Sequence, residues 1–391
     1  MNSFTFYSPT KVIFGAKTCD RVGQAVREAG GTHVLVLYGG GSVVKNGVLD
    51  RVKASLEAAG LAFDCVGGVQ PNPRLSFAQQ VADDYRDKGV DFLLAVGGGS
   101  VLDTMKGVSM SLACGGQIWD FFDGSREVTG AIPMASVLTI AAAGSETSDS
   151  AVLTNEALGW KKGKSTPYNR PLFAIMDPEL TYTLPPRQTA CGVTDIMMHT
   201  LERYISNGET DYLTDAIAEA LLRDVMDAGL LAMAEPDNYD ARSEIMWCGS
   251  LSHNDLTGLV HSKDFSVHQL GHELSAKFDI AHGESLSIMW ASWARYVCGQ
   301  NPGRFASLGR KVLNIDEPDD RIAAQRTISG FEAYWQRLGM PVRFSDQIGV
   351  QPPEVLEDLA RRCSWQGKRK VGVFRPIDTA DMLAIYQAAN L

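Results

Sequence analysis

The 391-residue chain lacks most of the features that mark secreted, membrane-spanning or nucleic-acid-binding proteins. Its longest apolar stretch, residues 131–144 (AIPMASVLTIAAAG), is broken by Pro133, Ser136 and Thr139 and is too short to span a bilayer. The opening MNSFTFYSPT has no basic segment leading into an apolar one, so no secretory signal is expected. Seven cysteines are scattered singly without CxxC spacing, which reads as reduced, packed thiols in the cytoplasm. Basic charge is also in deficit: 36 Lys+Arg stand against 46 Asp+Glu, a net charge of -10. That excludes a general affinity for nucleic acid or anionic membrane, whose phosphates most of the surface would repel.

What remains is the composition of a soluble globular protein, 45% hydrophobic and 21% charged, with 38 glycines concentrated in the first half. Short apolar runs at 34–38 (VLVLY), 61–66, 92–96 (FLLAV), 132–139 and 172–176 (LFAIM) alternate with amphipathic stretches such as 44–59 and 77–87. This alternation predicts a parallel sheet covered by helices on both faces. After Thr183-Leu184-Pro185-Pro186 the pattern turns almost wholly helical, at 195–205, 215–233, 241–256, 265–278 and 378–389. An α/β domain over 1–186 and an all-α domain over 187–391 are therefore expected.

Two glycine clusters close strands in the first domain. Gly97-Gly98-Gly99-Ser100 opens a helix carrying Asp103 and Lys106, and such a turn lets backbone N–H groups approach a phosphate. It is neither GxGxxG nor a Walker A loop, and a plain tight turn would use the same residues. The earlier cluster, Gly39-Gly40-Gly41-Ser42, is followed by Lys45. Where dinucleotide folds place a carboxylate on the adenosine ribose, this chain offers bare amides, a hydroxyl and an ammonium, which favours NADP(H) over NAD(H).

Histidine is scarce, seven in all, yet five fall between 253 and 282: His253, His261, His268, His272 and His282. Upstream, Asp195 and His199 stand one helical turn apart in the apolar stretch GVTDIMMHTLERY, and His268 and His272 repeat that spacing in HQLGH. A buried carboxylate needs a partner, and a divalent cation partners several such groups at once. One Asp oxygen with imidazole nitrogens suits Zn²⁺ or Fe²⁺, and no HExxH motif points to a protease. The spacing of His253 and His261 does not separate them from capping or surface residues.

These residues resemble the group III, metal-dependent ("iron-containing") alcohol dehydrogenases along essentially the whole chain. The resemblance is carried by SPTKVIFG (8–15), PNP (71–73), GGGSVLDTMK (97–106), GSE (144–146), MDPELTYTLPP (176–186), GVTDIMMHTLE (192–202), HQLGHEL (268–274) and AHGES (281–285). YGGGSVVKNGVLD (38–50) and LPPRQTACGVTD (184–195) are similar to the branch with butanol dehydrogenases and broad-specificity NADPH-dependent aldehyde reductases. The resemblance implies a dehydroquinate synthase-like architecture, with an α/β dinucleotide-binding domain over 1–186 and a helical metal-binding and substrate domain over 187–391, and a homodimer. It implies reversible hydride transfer between NADP(H) and a small alcohol/aldehyde pair, assisted by one divalent metal, Fe²⁺ or Zn²⁺. The implied metal ligands are Asp195, His199, His268 and His282, and His272 lies beside the substrate, a candidate proton relay. For the cofactor it implies Gly98, Gly99 and Ser100 on the pyrophosphate, Thr139 and Ser145 in a loop closing over it, Asn72 in contact with it and Lys161 near the nicotinamide ribose. Ala142-Ala143 stand where many members carry hydroxyls, and Thr147, Ser148, Asp149 and Ser150 are expected to line the pocket, Asp149 tilting it towards hydroxylated or cationic substrates. A glycerol dehydrogenase, a dehydroquinate synthase-like lyase, a metal-dependent hydrolase and a metal sensor are the rival readings.

Overall fold

The computed structural model describes residues 3–206, 212–259 and 261–391. No helix among them is long and apolar enough to cross a membrane. The chain divides into two compact units: Tyr7–Leu184 with Glu235–Ser250, and Pro185–Ala234 with Leu251–Leu391 and the N-terminal residues up to Phe6.

The first unit contains eight strands: β1 (Lys11–Phe14), β2 (His33–Gly39), β3 (Ala62–Val69), β4 (Phe92–Gly97), β5 (Met134–Leu138), β6 (Ser150–Asn155), β7 (Trp160–Ser165) and β8 (Phe173–Met176). Six of them form one sheet in the order β1-β8-β5-β4-β2-β3, every neighbouring pair parallel. Strands 2 and 4 read as continuous apolar runs because both faces are covered: Leu35, Val36, Leu37, Leu93, Leu94 and Ala95 are fully buried. From β2 the chain passes to β3 on one side and then to β4 on the other, so the topology switches direction between β2 and β4. The register Tyr38↔Val96 sets the carboxyl ends of these two strands side by side. Ligands of open parallel sheets bind at such a switch point.

The expected helix 44–59 is two helices, Ser42–Lys45 and Val48–Ala58, parted by Gly47 at φ 77°. The antiparallel hairpin of β6 and β7 was not anticipated. Its second strand, WKKGKS, is too polar to show an apolar alternation, and the hairpin is set by pairing with β6 rather than by its own pattern.

The second unit is helical. Its first helix runs over Pro186–Tyr204, nine residues earlier than the expected start, with proline in the first turn where a missing N–H costs nothing. Ser266–Phe278 and His282–Val297 follow, and the chain ends on Thr379–Ala389. Asp378 caps that last helix by accepting from Ala380 N and Asp381 N. An aromatic core holds the 282–297 helix in place: Trp290 lies 5.7 Å from Trp293, 5.9 Å from Phe331 and 5.8 Å from Trp335, ring centre to ring centre. Such pairs add about 0.5–1.5 kcal/mol beyond the area they bury. The rigidity matters because the first residue of this helix is His282.

Candidate metal and nucleotide sites

The helix Pro186–Tyr204 is buried on nearly every side from Thr189 onwards, yet it carries Asp195 and His199 inward. Oδ1 of Asp195 is faced by three imidazole nitrogens: Nε2 of His199 at 3.4 Å, of His268 at 3.6 Å and of His282 at 3.8 Å. The ligand atoms of Asp195, His268 and His282 all lie within 4.8 Å of one another. Asp195 Oδ1 and His268 Nε2 are buried and have no hydrogen-bond partner among the described residues. Two such orphaned atoms would be costly unless something binds them. Atoms about 2.0–2.1 Å from a tetrahedral ion stand roughly 3.3 Å apart, so a modest contraction fits this set to Zn²⁺ or Fe²⁺.

The far sides of the rings are also occupied. Glu202, fully buried three residues after His199, accepts from Val267 N at 2.6 Å and meets His268 Nδ1 in a very short contact. This carboxylate turns the Nε2 of His268 towards Asp195. Burial pushes the Glu202 carboxyl up; burial works against a charged His268, yet Glu202 and Asp195 together still raise that imidazole. The proton shared with Glu202 sits on the Nδ1 side of His268, so the proton that a cation would have to displace is the one on Nε2. His199 is held well below the ordinary imidazole range, by burial first and then by His253, His268 and Arg203. A neutral ring is what ligation requires. His272 is buried, its ring centre 5.4 Å from that of His282 and 6.3 Å from that of His268. It stands beside the cluster, next to His282 and His268.

Sequence reasoning gave Glu202 no role and left His253 undistinguished. His253 Nδ1 in fact lies 2.9 Å from His199 Nδ1, inside the cluster. No spacing rule could have found it, because His253 ends a different helix, Tyr239–His253. His261 belongs elsewhere: its Nε2 meets Asp215 at 3.0 Å, and Asp215 also takes Arg304 at 2.6 Å.

In the α/β unit, the two glycine turns sit at the ends of β2 and β4, on either side of the switch point. Gly41 has φ 120°, which L-residues rarely adopt, and a Cβ at Gly40 or Gly41 would meet no atom within 4 Å. Ser42 and Lys45 beside them are exposed. The other turn is tight: a Cβ at Gly98 would come within 2.9 Å of Ile140, while one at Gly99 would rest 3.6 Å from Ala143. Residues 140–143 therefore cover the turn that opens the helix Gly99–Cys114. The amides of Gly99 and Ser100 lie in its first turn, where no intrahelical acceptor exists. Thr139 N donates to Gly97 O at 3.1 Å and fixes the start of the covering loop. Asn72 and Lys161 are brought together, Nζ to Oδ1 at 3.0 Å.

Some expected contacts prove to be internal supports. Asp103 accepts from Ser145 Oγ at 2.8 Å and from Val152 N at 3.1 Å, so its carboxylate ties down the 145–152 segment. Lys106, completely buried, donates to Ser145 O at 2.7 Å, Ser145 Oγ at 2.8 Å, Ser148 O at 3.1 Å and Ser150 O at 2.7 Å. Burial lowers its ammonium to about 8, against the pull of Asp103 and Glu146. Asp149, expected to tune a pocket, is paired with Arg170 at 3.3 Å. Its carboxylate is thus shared with a cation of the chain itself.

Comparison with known proteins agrees over the full length. The model of "Iron-containing alcohol dehydrogenase" matches residues 9–178, and that of "Fe-containing alcohol dehydrogenase family, C-terminal" matches 189–390. The chain is 37% identical to the NADH-dependent butanol dehydrogenase A of Clostridium acetobutylicum, covering 99% of both. It is 34% identical to the NADPH-dependent aldehyde reductase YqhD of Escherichia coli, covering all of both. A crystal structure of NADH-dependent butanol dehydrogenase A from Thermotoga maritima superposes with a TM-score of 0.96 at 32% identity, over 100% of this chain and 99% of that one. The chain belongs to the iron-containing alcohol dehydrogenase family.

Proposed function

We propose that this protein is a metal-dependent alcohol dehydrogenase and aldehyde reductase, transferring a hydride between NADP(H), in preference to NAD(H), and a small alcohol/aldehyde pair. The observation that carries the reading is Asp195 Oδ1, buried without a hydrogen-bond partner among the described residues and faced by three imidazole Nε2 atoms. When bound, a divalent cation supplies Lewis acidity towards the carbonyl or alcohol oxygen, and the nicotinamide supplies the hydride. Asp195, His199, His268 and His282 hold the cation, and Glu202 orients His268. His272, buried at the edge of the cluster, holds the proton exchanged with the substrate oxygen. Gly98, Gly99 and Ser100 take the pyrophosphate, Asn72 and Lys161 the nicotinamide side, and Gly39, Gly40, Gly41, Ser42 and Lys45 the adenosine side.

The preference for NADP(H) is supported by the absence of any carboxylate in the 39–45 turn, by its open glycines and by exposed Ser42 and Lys45. The relatives divide on this point, the clostridial enzyme being NADH-dependent and the E. coli one NADPH-dependent. Fe²⁺ and Zn²⁺ suit the same N/O donors, and supply decides between them. A homodimer is supported by β1, which stands at one edge of the sheet, and by exposed Phe4, Phe6 and Tyr7 nearby in sequence. The seven cysteines, all free thiols, support a reducing compartment such as the cytoplasm. A hydrolase would leave both glycine turns without a use. The test is the loss of absorbance at 340 nm with butyraldehyde on freshly metallated protein. Turnover faster with NADPH than with NADH is expected; oxidation of neither cofactor across a panel of small aldehydes would overturn the reading.

A further inference from the structure

Each imidazole that presents Nε2 to Asp195 needs its other nitrogen protonated, and something must accept that proton. For His268 the acceptor is the Glu202 carboxylate. For His199 the partner is a second imidazole, His253, with the two Nδ1 atoms 2.9 Å apart. A hydrogen bond between two ring nitrogens has one donor and one acceptor, so the proton has two possible placements. If His253 donates, the proton of neutral His199 sits on Nε2, the atom aimed at Asp195, and that atom cannot ligate. If His199 donates, its Nε2 is bare and His253 carries its proton on its own Nε2.

Arg203 packs against both rings. Its guanidinium only donates. Nη1 gives a hydrogen bond to His199 O at 2.8 Å and stands 3.4 Å from His199 Nδ1, whereas Nη2 lies 3.3 Å from His253 Nδ1. The guanidinium thus borders both ring nitrogens at nearly equal distance and holds the pair in place; the choice of donor is set by His199 Nε2, which faces Asp195 and can ligate only if His199 donates through Nδ1 and His253 accepts. Arg203 is itself fixed: it is 2% exposed and its guanidinium carbon lies 5.0 Å from the Phe265 ring centre.

We propose that His253, held by Arg203, is a positioning residue that fixes the tautomer of His199 and leaves His199 Nε2 bare as a ligand for the divalent cation. The inference rests on the metal site proposed above. A neutral acceptor polarises its partner less than a carboxylate does, so the support of His199 is weaker than that of His268.

The test combines two measurements. Zn²⁺ affinity is read by competition with a chelator in wild type, His253→Leu and His253→Gln. The ring protons of metal-free, ¹⁵N-histidine-labelled wild type are placed by long-range ¹H–¹⁵N NMR. We expect His253→Leu to weaken Zn²⁺ binding about 10-fold or more, His253→Gln to recover most of the loss through its amide oxygen, and His199 to carry its proton on Nδ1. Zn²⁺ binding by His253→Leu equal to wild type would overturn the proposal, as would equal losses in both variants. A proton on His199 Nε2 would overturn it even if His253→Leu failed to fold. Wild type that binds no divalent cation would contradict the metal site itself, whereas wild type that binds while His253→Leu is unaffected would contradict only the role of His253.

Discussion

The two units build their candidate sites from opposite materials. The α/β unit offers backbone: glycine turns at two strand ends, where a Cβ would either collide, as at Gly98, or stand in open space, as at Gly40. The helical unit offers side chains, with His199, His268 and His282 drawn from three helices onto one carboxylate oxygen of Asp195. A backbone site tolerates changes of side-chain chemistry but not of volume, and a side-chain site the reverse. Substitution should therefore separate the two functions, nucleotide binding and metal binding, almost completely.

The sharpest break is Asp195→Ala or His268→Ala. Lewis-acid assistance is worth several kcal/mol, so kcat/KM should fall by about a thousandfold or more. Metal content should fall with it, while nucleotide binding, followed by fluorescence titration, should persist. Retained metal in Asp195→Ala would show that the cluster is held differently.

The second effect is a pH dependence confined to the helical site. In the cation-free protein His268 is raised from 6.5 to about 9, with burial opposing and Glu202 and Asp195 prevailing. A raised imidazole stabilises the cation-free fold fully below about pH 6.5 and loses that contribution as pH climbs through about 9. Cation binding must expel that proton, so apparent affinity should rise about tenfold per pH unit and level off near 9. Chelator competition at several pH values reads the slope; a flat profile would show that His268 is not a ligand.

The complementary break in the α/β unit is Gly98→Val. Its side chain would meet Ile140 and push away the loop covering the turn. Nucleotide affinity should fall by about tenfold or more, because the first-turn amides lose their geometry, while metal content stays at the wild-type level. Smallest is Gly40→Asp, which has room for its side chain. The added carboxylate repels a 2′-phosphate, so the NADPH/NADH ratio of kcat/KM should drop about several-fold. An unchanged ratio would show that the adenosine pocket lies elsewhere.

The same contrast governs what could be read from the sequence. The sheet was legible because β2 and β4 are buried on both faces and end in glycines, a local pattern of apolar run and turn. Asp195, His199, His268 and His272 were legible as i,i+4 pairs on helices, but pairing alone does not say which ring faces the carboxylate; His272 turns out to stand aside. Glu202 and His253 were not legible. Their importance comes from meeting His268 and His199 across helices, 66 and 54 residues away in sequence. Lys106 could be placed on a helix but given no role; it is the buried centre of the 145–150 loop, because four oxygen acceptors converge on it only once the chain is folded.

The most direct test of the account is to strip the metal with a chelator, restore one equivalent of Fe²⁺ or Zn²⁺, and follow NADPH oxidation with butyraldehyde alongside metal content. Activity should disappear with the metal and return as the site refills, with nucleotide binding intact throughout. Undiminished turnover by metal-free protein would contradict the account.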